Sequence, residues 1–232
     1  MSAIALITLS NAGARLAAEL AREMKPCDLF LHEDVSRRFA GERFDAVVAL
    51  TRRIFNRYRR LVFIMPCGVV VRAIDGLLQH KTRDPAVVVV DAGGRYAVSL
   101  LSGHEGGANE LALRAANVLA AEPVVTTTTE AAKNVIVGVG CRRGAAAADI
   151  AAAVRQGLRL ARVRPGRVRW LASADLKKNE KGLIAAADRL GFGLRFISSE
   201  EIRGTAKAFR HSTFVQSKPE TPYNSGARSH DA

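Results

Sequence analysis

Residues 87–109, VVVVDAGGRYAVSLLSGHEGGAN, decide the fold. Val87 to Val90 is an unbroken β-branched run ending at Asp91, the pattern of a strand covered on both faces. Ala92-Gly93-Gly94 makes a tight turn into Tyr96 to Leu101, a hairpin partner. Gly103, Gly106 and Gly107 then bend the strand end into a helix start. That helix sets Leu111, Ala115, Val118 and Leu119 on one face, with Glu110, Arg114 and Asn117 on the other. Strand, hairpin and covering helix together predict an α/β domain with an antiparallel element in its sheet.

Working outward, Ile4 to Leu9 reads as a buried strand, with Ser10-Asn11 as the N-cap of a helix that faces inward through Leu16, Leu20 and Met24. Asp45 to Leu50 and Leu61 to Met65 read as two more strands, and Gly68 to Leu78 as a helix. Pro123 to Val125 and the threonines after it read as another strand. A second unit starts near Asn134, with strands at Val135 to Val139, Val168 to Leu171 and Leu194 to Ile197. Its helices are an Ala-rich one carrying Ile150, Val154 and Leu158, and Lys181 to Leu190, closed by Gly191. The predicted architecture is α/β: two small three-layer units with mixed sheets, residues 1–133 and 134–209, then a disordered C-terminal tail, 210–232.

Composition narrows the function classes. No apolar stretch approaches the roughly 20 residues of a membrane helix, and no basic region precedes an apolar one at the N-terminus. Cys27, Cys67 and Cys141 stand far apart with no C-x-x-C pair, which argues against zinc and iron–sulfur sites and for reduced thiols. A soluble cytoplasmic protein is expected. Lys and Arg number 35 against 22 Asp and Glu, a net charge of +13 that favours a polyanionic partner. GC-rich coding, which inflates Arg, is the competing explanation. The cluster Arg52, Arg53, Arg57, Arg59 and Arg60, interleaved with Phe55 and Tyr58, reads either as a nucleic-acid strip or as a solvated turn.

Within Ser102 to Asn109, His104 alone can take and return a proton near neutral pH. Glu105 is placed to orient its ring and Asn109 to bond a substrate oxygen, while helix-start N–H groups at Gly106 and Gly107 suit an anion. The plainer reading is a glycine-rich connector with a surface histidine. Lys81, Thr82 and Asp84, just before the Val87 strand, would hold a polar substrate, although Asp84-Pro85 is also ordinary turn chemistry. Gly138-Val139-Gly140-Cys141-Arg142-Arg143-Gly144 fails the dinucleotide fingerprint, because Arg143 holds the third glycine position. Arg142 and Arg143 at a helix start suit carboxylate groups or form a solvated basic turn. His32, His80, His211 and His230 have no sequence partners and read as structural.

Arg72-Ala73-Ile74, Lys81-Thr82, Asp84 to Asp91 and Ser99 to Glu110 together resemble the N-terminal domain of the cobalamin biosynthesis protein CbiG family. Gly138 to Gly144 and Leu171 to Lys178 resemble the start of its C-terminal domain, the one shared with CobE. The resemblance implies a cobalt-precorrin 5A hydrolase that opens a ring-A δ-lactone and releases the C20 two-carbon unit as acetaldehyde, giving cobalt-precorrin 5B. On that reading His104, in a Gly-His-Glu-Gly-Gly segment at a strand-to-helix turn, is expected to be the general base, with Glu105 beside it. Arg72, Lys81, Thr82, Asp84, Gly103, Gly106, Gly107, Asn109, Arg142 and Arg143 would bind the substrate. That substrate is a tetrapyrrole-derived molecule with many carboxylates. Cobalt arrives on it, so no cofactor of the protein's own is expected, and other cobalamin-pathway enzymes are candidate partners. Nucleic acid is the weaker reading. In the family a middle domain separates the two matched regions, where only about Glu130 to Asn134 joins them here, and the C-terminal domain is expected to be shortened. A non-catalytic corrinoid-binding or carrier module is therefore the alternative.

Overall fold

The computed structural model describes residues 4–205, so the tail expected at 210–232, with His211 and His230, lies outside the described residues. By its internal contacts the chain divides into two units, Met1–Val135 with Val163–Arg169, and Ile136–Arg162 with the residues from Trp170 onward.

The first unit runs β1 (Ile4–Thr8), α1 (Asn11–Glu23), β2 (Cys27–His32), β3 (Glu42–Phe44), α2 (Val47–Ile54), β4 (Arg60–Ile64) and α3 (Cys67–Ile74). It continues through β5 (Ala86–Val90), β6 (Tyr96–Leu101), α4 (Ala108–Leu119), β7 (Glu122–Val124) and α5 (Thr128–Ala131). Its seven strands lie in the order β3-β2-β1-β4-β5-β6-β7. β3 to β5 are parallel, β6 pairs antiparallel with β5, and β7 runs parallel to β6.

Strand alternation splits the apolar residues between two cores. Leu6, Val62, Ile64, Val88 and Val90 meet Leu20 of α1, Met24 just after it, and Leu111, Ala112 and Ala115 of α4. Ile7, Leu61, Phe63, Val87 and Val89 meet Leu50 and Ile54 of α2 and Val70 and Ile74 of α3. All five residues of β5 are buried, as the valine run requires. Ser10 caps α1, its Oγ accepting from Gly13 N–H at 3.0 Å.

Three expectations need correction. Asp45 to Leu50 is not a strand: β3 ends at Phe44, and α2 begins at Val47. The Val47-Val48 pair has strand propensity, but Leu50, Thr51 and Ile54 are buried at helical spacing while Val48 is exposed, so packing overrides propensity. The threonines leave the sheet after Val124, and Thr128 opens the short helix α5. The helix from Gly68 does not reach Leu78, because Asp75 turns extended after Ile74 and Gly76 takes φ +72°.

The second unit runs β8 (Val135–Gly138), α6 (Ala147–Leu160), β9 (Val168–Ala174), α7 (Lys181–Leu190), β10 (Gly193–Ile197) and α8 (Ser199–Arg203). Its sheet has the order β10-β9-β8, with β9 and β10 parallel. Ile150, Ala151, Leu183 and Ala186 form its core with Leu194 and Phe196 packed against them. Gly191 ends α7 at φ +68°, the left-handed stop. Among the described residues no helix is long and apolar enough to cross a membrane.

Candidate active site

Strand register fixes where the glycine loop lies. Val87, near the start of β5, pairs with Leu101 at the end of β6. The Ser102–Gly107 loop therefore leaves the sheet at the edge where the parallel strands begin. The loop that leads into β5, with Lys81, Thr82 and Asp84, reaches the same edge. Open α/β sheets usually bind ligands at the opposite edge, where strand order reverses, here between β1 and β4. At that end Thr8 Oγ1 donates across to Ile64 O at 3.2 Å, and a Cβ on Gly13 would collide with the same hydroxyl.

Close packing and hydrogen bonds shape the glycine loop. Ser102 is buried at φ +56°, a conformation that costs a non-glycine residue on the order of 1 kcal/mol. Its Oγ donates to Asp84 O at 3.1 Å. A Cβ on Gly106 would strike the Ser102 side chain and carbonyl, so only glycine lets the chain fold back there. Gly107 caps α4 at φ +83°. Ala108 and Asn109 N–H donate to the Ser102 and Gly103 carbonyls at 3.2 and 3.0 Å. Among the described residues the N–H groups of Gly106 and Gly107 have no backbone acceptor.

His104 is exposed on this loop. Glu105 bonds to Lys81 Nζ at 2.8 Å, rather than to the imidazole. That hydrogen bond is the main cause of a Glu105 carboxyl held below the usual carboxylate value, with the charge of Lys81 and of His104 adding to it. The pair ties the two loops together.

Asn109 is engaged at both ends: Oδ1 accepts from Ser99 Oγ at 2.8 Å and Nδ2 donates to Thr127 Oγ1 at 3.1 Å. A Cβ on Gly103 would lie 2.8 Å from both Asn109 Oδ1 and Thr127 Cγ2. The Asp84 carboxylate is buried and accepts from Gln79 N–H at 3.0 and 3.2 Å. Asn109 and Asp84 thus hold the two loops in place from within. Thr82 Oγ1 lies 2.8 Å from His80 Nδ1, and Arg72 Nη1 donates to Gly68 O of its own helix at 3.1 Å. Ser99, Ser102, Thr127 and Gln79 escape pattern reading. The one hint was Ser99, a hydroxyl inside the otherwise apolar stretch Ala97 to Leu101.

In the second unit, Arg142, Arg143, Cys141 and Asp149 line an open hollow of about 630 Å³ together with Val139 and Val154. Gly144 N–H is taken by Glu180 Oε1 at 2.9 Å, and Gly144, Arg142 and Arg143 lie in the turn before α6 rather than at the helix start expected for the two arginines. Arg142 and Arg143 are exposed. Among the described residues no group of three or more His, Cys, Asp or Glu could hold a metal ion.

The chain is 44% identical over 128 residues to a cobalt-precorrin-5A hydrolase of Salmonella typhimurium, a match covering 55% of this chain and 36% of that protein. It is 34% identical over 148 residues to a cobalt-precorrin-5A hydrolase of Priestia megaterium, covering 60% and 38%. Protein CobE of a Sinorhizobium species is 30% identical over 79 residues, covering 34% of this chain and 51% of that protein. The match therefore spans less than two fifths of either hydrolase. A solved structure of a cobalamin biosynthesis protein G homolog from Sulfolobus solfataricus gives a TM-score of 0.42 at 18% identity over 88% of this chain and 82% of that one. The family description cobalamin synthesis G N-terminal matches residues 49–130, and cobalamin synthesis G C-terminus matches 135–223. With both halves of one family matched in order along a single sequence, the chain belongs to the cobalamin synthesis G (CbiG) family.

Proposed function

We propose that this chain is a hydrolase acting on cobalt-precorrin 5A, opening the ring-A δ-lactone and releasing the C20 two-carbon unit as acetaldehyde to give cobalt-precorrin 5B. The observation that carries the reading is the exposed His104, set on a glycine loop beside the open N–H groups of Gly106 and Gly107. The names of the two similar hydrolases support the same substrate. His104 would take a proton from the water that attacks the lactone carbonyl, a role worth on the order of a hundred-fold or more in rate. The resulting oxyanion would lie against the Gly106 and Gly107 N–H groups. As the carbonyl reforms, the ring oxygen leaves on C20; its electron pair then forms the aldehyde carbonyl while the bond from C20 to the macrocycle breaks, and the macrocycle carbon takes the proton held by His104. Cobalt would enter on the substrate, with no cofactor of the protein's own. The free thiols of Cys27, Cys67 and Cys141 suit a reducing cytoplasm, where other enzymes of the pathway would deliver and take up the corrinoid.

The test is acetaldehyde release from cobalt-precorrin 5A under anaerobic conditions by the purified chain and by His104→Ala. Release by the first alone establishes both reaction and base. Release by both keeps the reaction and removes the role of His104. The partial match to the hydrolases favours one rival, a non-catalytic corrinoid carrier. Spectral binding of the corrinoid with no acetaldehyde from either protein would establish that rival.

A further inference from the structure

We propose that Arg57, Arg59, Arg60 and Arg83 form a carboxylate-binding rim along the strand-start edge of the seven-stranded sheet, beside the His104 loop, and that this rim seats the acidic periphery of a polycarboxylate ligand. The choice of a carboxylate-rich macrocycle as that ligand rests on the function proposed above.

Register brings these residues together. Arg60 opens β4 and pairs with Ala86 of β5, whose N–H also bonds Arg59 O at 3.0 Å. Arg83 lies in the loop before β5, and Val87 of β5 is level with Leu101 at the root of the His104 loop. Adjacent strands stand roughly 4.8 Å apart, so the start of β4 is about 10 Å from the glycine loop. The two lie on one edge, though 42 residues separate Arg60 from Ser102 in sequence.

Apart from the exposed Asp75 in the loop before β5, the acidic groups in the adjoining segments are engaged elsewhere. Glu42 pairs with Arg53, Glu105 with Lys81, and Asp28 accepts from Tyr58 Oη at 2.6 Å. The Asp84 carboxylate is buried against Gln79 N–H. Arg57, Arg59 and Arg83 are exposed and Arg60 is half-buried, and no carboxylate pairs with any of the four among the described residues. Unpaired guanidinium groups on one edge suit bidentate capture of carboxylates.

The aromatic residues interleaved with these arginines decide against a single-stranded nucleic acid. Single strands are held by bases stacked on exposed rings. Phe55 is fully buried in the core under α2. Tyr58 packs edge-on against Phe30 with ring centroids 5.9 Å apart, and its hydroxyl is spent on Asp28. The arginines remain at the surface without a stacking platform.

The experiment is a fluorescence titration of the full chain with an octacarboxylate porphyrin at low and high salt. It compares the wild type, Arg59→Gln/Arg83→Gln, and Arg15→Gln/Arg37→Gln, which removes two charges near the opposite edge. Circular dichroism checks that all three are folded. The rim variant should bind about tenfold or more weaker, with a shallower salt dependence, while the opposite-edge variant stays within about twofold of wild type. Equal weakening in both variants, unchanged binding in the rim variant, or no binding by the wild type overturns the proposal. So does a short DNA duplex that binds as tightly as the porphyrin and depends on the rim. Acetaldehyde release is scored separately: rim-dependent porphyrin binding without turnover leaves the rim standing and removes the hydrolase.

Discussion

Asn109 Nδ2 donates to Thr127 Oγ1 at 3.1 Å, fastening the first turn of α4 to the segment that follows β7. With Ser99 Oγ on the other end of the same amide, one side chain spans β6, α4 and the chain after β7. Cutting either bond should loosen the root of the His104 loop without touching His104. Asn109→Ala and Thr127→Val should each destabilise by about 1 kcal/mol, with a coupling of about 0.5–1 kcal/mol in the double variant. Urea titration of the four proteins checks this. Strictly additive losses would show that the bond contributes nothing of its own.

Gly106 and Gly107 are adjacent glycines required for different reasons. A Cβ at 106 collides with Ser102, whereas at 107 nothing lies within 4 Å and only the φ of +83° favours glycine. Gly106→Ala should cost about 1–3 kcal/mol through overpacking. Gly107→Ala should cost about 1 kcal/mol, most of it recovered by Gly107→Asn, which tolerates the left-handed region. Thermal melts of these three variants and of Gly106→Asn separate the two causes, because asparagine at 106 should rescue nothing.

The Lys81–Glu105 pair is exposed on both sides, with side-chain accessibilities of 67% and 40%. Its removal should leave the melting temperature where it is, since such pairs add little to stability. The charge effect should nonetheless be visible by carboxyl carbon NMR. Glu105 should titrate below the usual carboxylate value and move back up toward it in Lys81→Ala. An unshifted Glu105 in the wild type would show that the loops are not joined in solution.

Asp91 closes the β5–β6 hairpin. Burial alone would raise its pKa, but N–H donors from Tyr96, Arg95 and Gly93 and the Arg95 side chain outweigh that and hold it below its usual 3.8. A pKa lower in the folded than in the unfolded state means fewer protons bound on folding. The stabilisation is complete above the unfolded value and is lost as pH falls through the folded one. Asp91→Asn should cost about 1–2 kcal/mol near neutral pH. Its difference from wild type should shrink below pH 3.8. Chemical denaturation at several pH values gives the slope, and a constant difference across the range would remove Asp91 from this role.

How much was legible beforehand can be judged residue by residue. The valine run of β5 and the glycine at 191 announced a buried strand and a helix stop, because each depends on local conformation and burial alone. Val47-Val48 misled, since its helical stripe is defined only by what Leu50, Thr51 and Ile54 pack against. The segment that carries the candidate chemistry was legible as well, because three close glycines are costly unless the backbone needs them. Several roles within it were not. Glu105 adjoins His104 in sequence but bonds Lys81, 24 residues earlier. Asn109 proved to be a fastening, and Asp84 turned inward.

Local sequence pattern was enough for most of the strands and helices, though not for β2, β3 or α2, and for the glycine loop with its histidine and the net positive charge. These follow from periodicity, backbone freedom and composition, which are properties of neighbouring residues. Only the tertiary structure decided which edge of the sheet the loop occupies and that Arg59, Arg60 and Arg83 share it. Only it showed that Phe55 and Tyr58 withdraw from the surface those arginines keep. The reason is physical: strand order and register set neighbours across the sheet about 4.8 Å apart, whatever their separation along the chain.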